Sequence, residues 1–192
     1  MLVSESQLID LPIMSLQTGK EIARTESAII NPHNLSIIAY QVSGKQLDYD
    51  PSYLRIADVR EIGSVGMIVN DSDELVVDDD IVSEKPIYEM AYELKDKPVI
   101  NEDKKKIGKV EDYIVEVDSF VIQQLVVRRP LLQSFHNDEL VVHRGQIAEV
   151  TDDMVIIKSG KHKTGAKTRH NRQYANPFRQ SSPQPEAIRS KD

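Results

Sequence analysis

The side chains best suited to acid–base or metal chemistry in this 192-residue chain are five histidines: His33, His136, His143, His162 and His170. None belongs to an H-E-x-x-H pattern, the spacing that sets two imidazoles on one helix face around zinc. His33 falls in the turn-like run Asn31-Pro32-His33-Asn34, where a solvated ring is expected. His136 and His143 flank a short strand seven residues apart, with nothing in the pattern to bring them together. The chain has no cysteine, which excludes disulfides, thiolate zinc sites and cysteine nucleophiles. It also lacks a G-x-S-x-G elbow and a phosphate-cradling P-loop.

Two further motifs imitate sites. Ile62-Gly63-Ser64-Val65-Gly66 resembles a GXXG loop that clamps nucleic-acid backbone, but such a loop joins two helices. Here it precedes the strand-like run Met67-Ile68-Val69, so a tight hairpin is expected. The acidic residues Asp71, Asp73 and Glu74, followed by Asp78, Asp79 and Asp80, resemble calcium ligands. An EF-hand needs Gly at loop position six and Glu at twelve; counted from Asp71, those positions hold Val76 and Val82. A solvated acidic linker is the simpler reading. The expectation is a non-enzyme with no catalytic residue, no metal and no cofactor.

The cations are arranged more tellingly. The net charge of −7 conceals a basic C-terminal segment, residues 158–192, with nine Lys/Arg against two Asp/Glu. Residues 1–157 carry fifteen against twenty-nine. The segment from 159 on is rich in Lys, Arg, Ser, Gln and Pro without apolar periodicity, a composition expected to stay disordered. Lys161, Lys163, Lys167, Arg169 and Arg172 fall within twelve residues, interleaved with His162, His170 and Tyr174. Such a segment attracts phosphates by counterion release, so these five are candidate nucleic-acid contacts. The alternatives are contact with the chain's own acidic body or with anionic lipid. Two more groups are candidates for a protein partner. Lys104, Lys105 and Lys106 sit on an expected hairpin tip, although lysines there also blunt strand edges. Arg128 and Arg129, with Phe135 in the loop that follows, are of the types enriched at binding hot spots.

The elements that must position these residues are short strands. Runs of Val, Ile and Leu four to eight residues long alternate with Asn, Asp, Gly and Pro, as in a β protein. Residues 22–42 overlay 107–127 with an offset of 85: Ile22/Ile107, Glu26/Glu111, Ile29/Ile114 and Ile37/Ile122 are identical. The match resumes at offset 88, pairing Leu54/Val142, Met67/Val155 and Ile68/Ile156. Between the copies, Ile87, Met90, Ala91 and Leu94 follow helical spacing, so a helix over 83–95 is expected as a spacer. Each copy is small, and closing a small sheet into a barrel removes its exposed edges. The expected fold is all-β: two tandem small barrels at 13–82 and 98–158, a helical linker at 83–97, and a disordered basic tail at 159–192. The N-terminus lacks a basic region and an unbroken apolar stretch, so no signal peptide is expected. No run approaches the roughly 20 apolar residues of a transmembrane helix, and a cytoplasmic location is expected.

Residues 106–127 resemble the PRC-barrel signature, G-x-[IV]-G-x-[IV]-x-D, through Ile107-Gly108-Lys109-Val110-Glu111-Asp112, followed by Asp118 before the turn. Lys105 or Lys106 stands where the first glycine belongs. The first copy resembles it through Gly19-Lys20-Glu21-Ile22, with Ala23 at the second glycine. Residues 53–63, including Asp58-Val59-Arg60-Glu61-Ile62-Gly63, are similar to a later element of the family, and 141–150 are a weaker version of it. The resemblance spans 16–77 and 98–158. PRC-barrels occur in the cytoplasmic part of the photosynthetic reaction-centre H subunit and in a small-subunit ribosome maturation factor, where they dock partners without shared catalytic residues. The resemblance thus implies a non-catalytic docking module; the doubling adds the expectation of an adaptor that binds a protein partner through two adjacent faces, and the basic tail that of association with RNA or a ribonucleoprotein. The alternatives are an enzyme or small-ligand binder with its site between the barrels, and a membrane-peripheral scaffold.

Overall fold

Val- and Ile-rich alternation over 21–31 and 106–116 produces the two longest strands, β3 (Glu21–Asn31) and β10 (Lys106–Glu116), of eleven residues each. The computed structural model describes residues 1–45, 47, 49–77, 85–130 and 139–159. Before β3 come β1 (Leu2–Ser4) and β2 (Pro12–Ser15). After it follow β4 (Ser36–Ser43), β5 (Ser52–Arg55), β6 (Glu61–Gly63), β7 (Gly66–Val69) and β8 (Leu75–Val76). A short helix, α1 (Lys85–Met90), leads to β9 (Pro98–Asn101), and β10 is followed by β11 (Val121–Arg128). The described chain closes with β12 (Glu139–His143), β13 (Ile147–Val150) and β14 (Val155–Ile157).

The two halves share one pairing register. β3 pairs with β4 through Arg24↔Ser43, Thr25↔Val42, Ser27↔Gln41 and Ile30↔Ile37. Adding 85 gives the observed β10–β11 pairs Lys109↔Arg128, Val110↔Val127, Asp112↔Val126 and Val115↔Ile122. Even the irregularities coincide: Glu26 and Glu111 are each skipped in the ladder, so the identical glutamates sit on equivalent bulges. A bulge bends and twists a strand at a fixed place, which explains why both hairpins curl alike. The parallel pairs β2–β7 and β9–β14 are equivalent too, with Met14↔Ile68 matching Ile100↔Ile156. The equivalence begins earlier than the strands suggest. Leu8 and Leu94 are both buried, and Asp10 (φ 56) and Asp96 (φ 61) make the same left-handed turn.

The expected pair of separate closed barrels is not seen. The described strands form one 14-stranded sheet that runs β13-β14-β9-β10-β11-β4-β3-β2-β7-β6 and does not close. The hairpin tips join the halves. Ser36 pairs with Val121, Ile37 N–H donates to Phe120 O at 2.8 Å, and Ile122 N–H donates to Leu35 O at 2.9 Å. An offset of 85 converts one bond into the other, so the junction is a pseudo-twofold axis. Leu35 (φ 49) and Phe120 (φ 52) both adopt the left-handed region there, and each is only 5% exposed. Bulky residues rarely take that conformation; here the turn drives an apolar side chain inward from each half. A single apolar cluster follows, running from Leu8 and Ile13 through Tyr40 and Leu54 to Val99, Leu125 and Ile157. A core of 60–70 residues is marginal alone, and merging the two relieves that limit.

The helix is shorter than its periodicity suggests and faces elsewhere. Ala91, at φ 42, ends it after six residues, and Met90 is exposed while Tyr88 is buried. Tyr88 packs edge-on to Tyr53, with ring centroids 5.0 Å apart, in a small cluster with Ala39 and Val76. The helix therefore covers the outer face of the first half rather than spacing two bodies.

Candidate docking surface

The turn joining β9 to β10 presents the lysine run. Lys104 N–H donates to Asn101 O at 2.9 Å and Lys105 N–H to Asn101 Oδ1 at 2.8 Å. Lys104 takes φ 61, as the equivalent Gly19 takes φ 65, so it is Lys104 that stands at the position the first half gives to glycine. Lys104, Lys105 and Lys106 all point into solvent. Register sets Arg128 opposite Lys109, which brings Arg128 and the following, half-buried Arg129 to this end of the β10–β11 hairpin. Arg128 is not left to a partner alone: its guanidinium lies 3.8 Å from Glu111 and 4.0 Å from Asp96. Those carboxylates offset the repulsion that Lys109 and Arg128 would otherwise exert across the strands.

The C-terminal segment starts from the same turn. β14 lies parallel to β9, with Ile157 opposite Asn101. Ser159 N–H then donates to Glu102 Oε2 at 2.9 Å, and Ser159 Oγ donates to Asp103 Oδ2 at 2.8 Å. The acidic residues of the turn thus hold the point from which the basic segment departs, beside the three lysines. Lys161, Lys163, Lys167, Arg169, Arg172 and Phe135 lie outside the described residues.

The motif imitations resolve as hairpins and caps. Gly63 pairs with Gly66 across a two-residue turn between β6 and β7. Asp71 accepts from Asp73 N–H at 2.9 Å, and Glu74 Oε2 accepts from Asn70 N–H at 3.0 Å, so these carboxylates serve the local backbone. Among the described residues, no group of three or more His, Asp or Glu converges as a metal site would require. His33 is exposed in its turn and His143 ends β12.

Two features escaped the sequence reading. Arg144 donates through Nη2 to Asn34 O at 2.6 Å and through Nη1 to Ile122 O at 3.3 Å, fastening one half to the other. Beside it, an open groove of about 450 Å³ is lined by His33, Asn34, Arg144, Ile147 and Glu149. The second feature is a buried polar group below β1. Glu5 is 4% exposed and ion-paired with Lys95, although its Oε2 finds no well-aligned hydrogen-bond donor. The Tyr40 hydroxyl nearby is buried without a partner. Burial, reinforced by the Glu5 carboxylate, holds the Tyr40 and Tyr113 phenols far above the usual range. Neither feature has a linear signal, because both depend on residues brought together over more than twenty positions.

Together these observations define an all-β protein of two equivalent halves, with Lys104, Lys105, Lys106, Lys109 and Arg128 gathered at one end of the second. The family model of the PRC-barrel domain matches residues 88–163, so a PRC-barrel domain lies in the second half. That match starts inside the segment read as a linker, at the position equivalent to residue 2. It does not extend to the first half, whose likeness is one of strand register. No curated protein matches the chain. No helix among the described residues is long and apolar enough to cross a membrane.

Proposed function

We propose that this is a non-catalytic docking protein whose partner is anionic, an RNA or ribonucleoprotein in a cytoplasmic setting. The supporting observation is that Ser159, the last described residue before the basic segment, is fixed to Glu102 and Asp103, next to Lys104, Lys105 and Lys106. Phosphates met by the segment and by the turn then count toward one binding event, and local effective concentration raises affinity without new contact types. Arg128 and Arg129 are assigned to a protein partner docked at the same end, and Phe135 to that same partner. The PRC-barrel match supports the docking character.

Single-stranded RNA binding should weaken with salt, with a slope of about 0.7 per phosphate neutralised. Replacing Lys161, Lys163, Lys167, Arg169 and Arg172 with glutamine should flatten that slope by up to about 3.5. Binding curves that do not move would reject the role. A second reading, a small-ligand site, draws on the groove beside Arg144; two of that guanidinium's nitrogens already serve carbonyl oxygens, which favours a structural part for it.

A further inference from the structure

Two departures from the first half meet at the β9–β10 turn, and both cost stability. The first is conformational. Lys104 (φ 61) stands where the first half has Gly19 (φ 65), and in that region a Cβ crowds the following carbonyl oxygen, a contact glycine lacks. Leu35 and Phe120 take the same region, but each buries an apolar side chain by doing so. Lys104 is exposed, so no packing offsets its strain. The second departure is electrostatic. In the first half Arg24 Nε donates to Glu21 Oε1 at 2.8 Å. At an offset of 85 those places hold Lys109 and Lys106, so an ion pair has become two exposed cations. Thr18-Gly19-Lys20-Glu21 is neutral, whereas Asp103-Lys104-Lys105-Lys106 sets three lysines against one aspartate. Neither departure is required by the fold, since β2 and β3 make the equivalent hairpin without them.

We infer that Lys104 is the anchoring phosphate contact of this end, kept at a costly backbone position because its ammonium is needed there, with Lys106 and Lys109 flanking it. The inference rests on the anionic partner proposed above and assigns one residue to its recognition. Lys104 N–H and Lys105 N–H are both bonded to Asn101, so the ammonium projects from a pinned backbone. Binding then orders only the side chain, which loses less freedom than a lysine on a loose loop would. A compact ammonium with three donors suits a phosphate oxygen, and two further cations on the adjoining strand extend the same attraction along a phosphate chain.

The full chain and a short single-stranded RNA of mixed sequence give the test, read by fluorescence anisotropy across a salt series and by thermal melts. Lys104→Gly should do two opposite things. It should raise the melting temperature by about 2–4 °C, because the left-handed strain is relieved. It should also weaken RNA binding about fivefold at about 0.1 M salt and lower the salt slope by about 0.7, because one phosphate contact is lost. Gly19→Lys, with open space around its Cβ, should lower the melting temperature by a similar amount. Lys20→Gln, at the counterpart of Lys105, should leave affinity unchanged. A Lys104→Gly chain that binds as tightly as the unmodified one, one that melts no higher, or an equal loss of affinity in Lys20→Gln would overturn the assignment while the docking role stands. An unmodified chain whose RNA binding is absent or indifferent to salt would remove that role and this assignment with it.

Discussion

Phe120→Ala tests whether the two halves are one cooperative body. Phe120 is 5% exposed and lies in the cluster that joins both halves. Removing a buried phenylalanine costs about 3–5 kcal/mol; a turn can partly collapse, so the low end, about 3 kcal/mol, is expected here. Alanine meets the same left-handed backbone at φ 52, so the strain term cancels and the loss reports packing. Phe120→Leu installs the residue the first half uses at this place, Leu35, and should cost about 1 kcal/mol. In urea, with a slope near 2 kcal/mol per molar, the alanine variant's midpoint should fall by about 1.5 M. Fluorescence from the tyrosines of both halves should move together in one transition. A fall below about 0.3 M, or separate transitions of which only one responds, would refute the merged core.

Gly108→Ala should destabilise the fold by at least about 2 kcal/mol, because a Cβ there would overlap the Arg128 carbonyl; thermal melts would read it, and an unchanged melting temperature would contradict the close approach. Alkaline pH should unfold the chain in step with tyrosine ionisation. Burial pushes Tyr92 up to about 12 from an ordinary 10.0, and it holds Tyr40 and Tyr113 higher still. The folded state thus keeps protons that the unfolded chain releases, so stability is intact below about pH 10 and falls as pH rises above it. In a chain carrying Tyr49→Phe, which removes an exposed phenol, and Tyr174→Phe, phenolate absorbance and circular dichroism should change together; phenolate appearing near pH 10 in that chain while it is still folded would show the buried hydroxyls to be accessible.

The hairpins were legible because β3 and β10 write their facing residues in period two, and a constant offset of 85 survived the divergence of letters. The bulged glutamates even appear among the four identities. What the sequence hid was assembly. Nothing in residues 31–36 or 116–121 announces that the two tips hydrogen-bond to each other, so each half read as a self-contained barrel. Ala91 does not advertise a left-handed turn, and helical periodicity carried the reading past the true end of α1. At the candidate site, the lysine run and the basic segment were visible as composition. The arrival of Ser159, just before that segment, at the lysine turn was not, since it depends on β14 lying parallel beside β9.

Ala23 and Gly108 occupy equivalent positions, and the strand opposite answers each differently. Gly44 lies against Ala23, its own missing Cβ only 2.8 Å from Ile22 O and 3.5 Å from the Ala23 methyl, whereas a Cβ on Gly108 would overlap the Arg128 carbonyl oxygen and lie 2.8 Å from Val127 Cγ1. A methyl group is therefore accommodated at residue 23 and blocked at residue 108, so side chains cannot be transplanted between the halves at this crossing: strand spacing, not register, is where the two hairpins have ceased to be interchangeable.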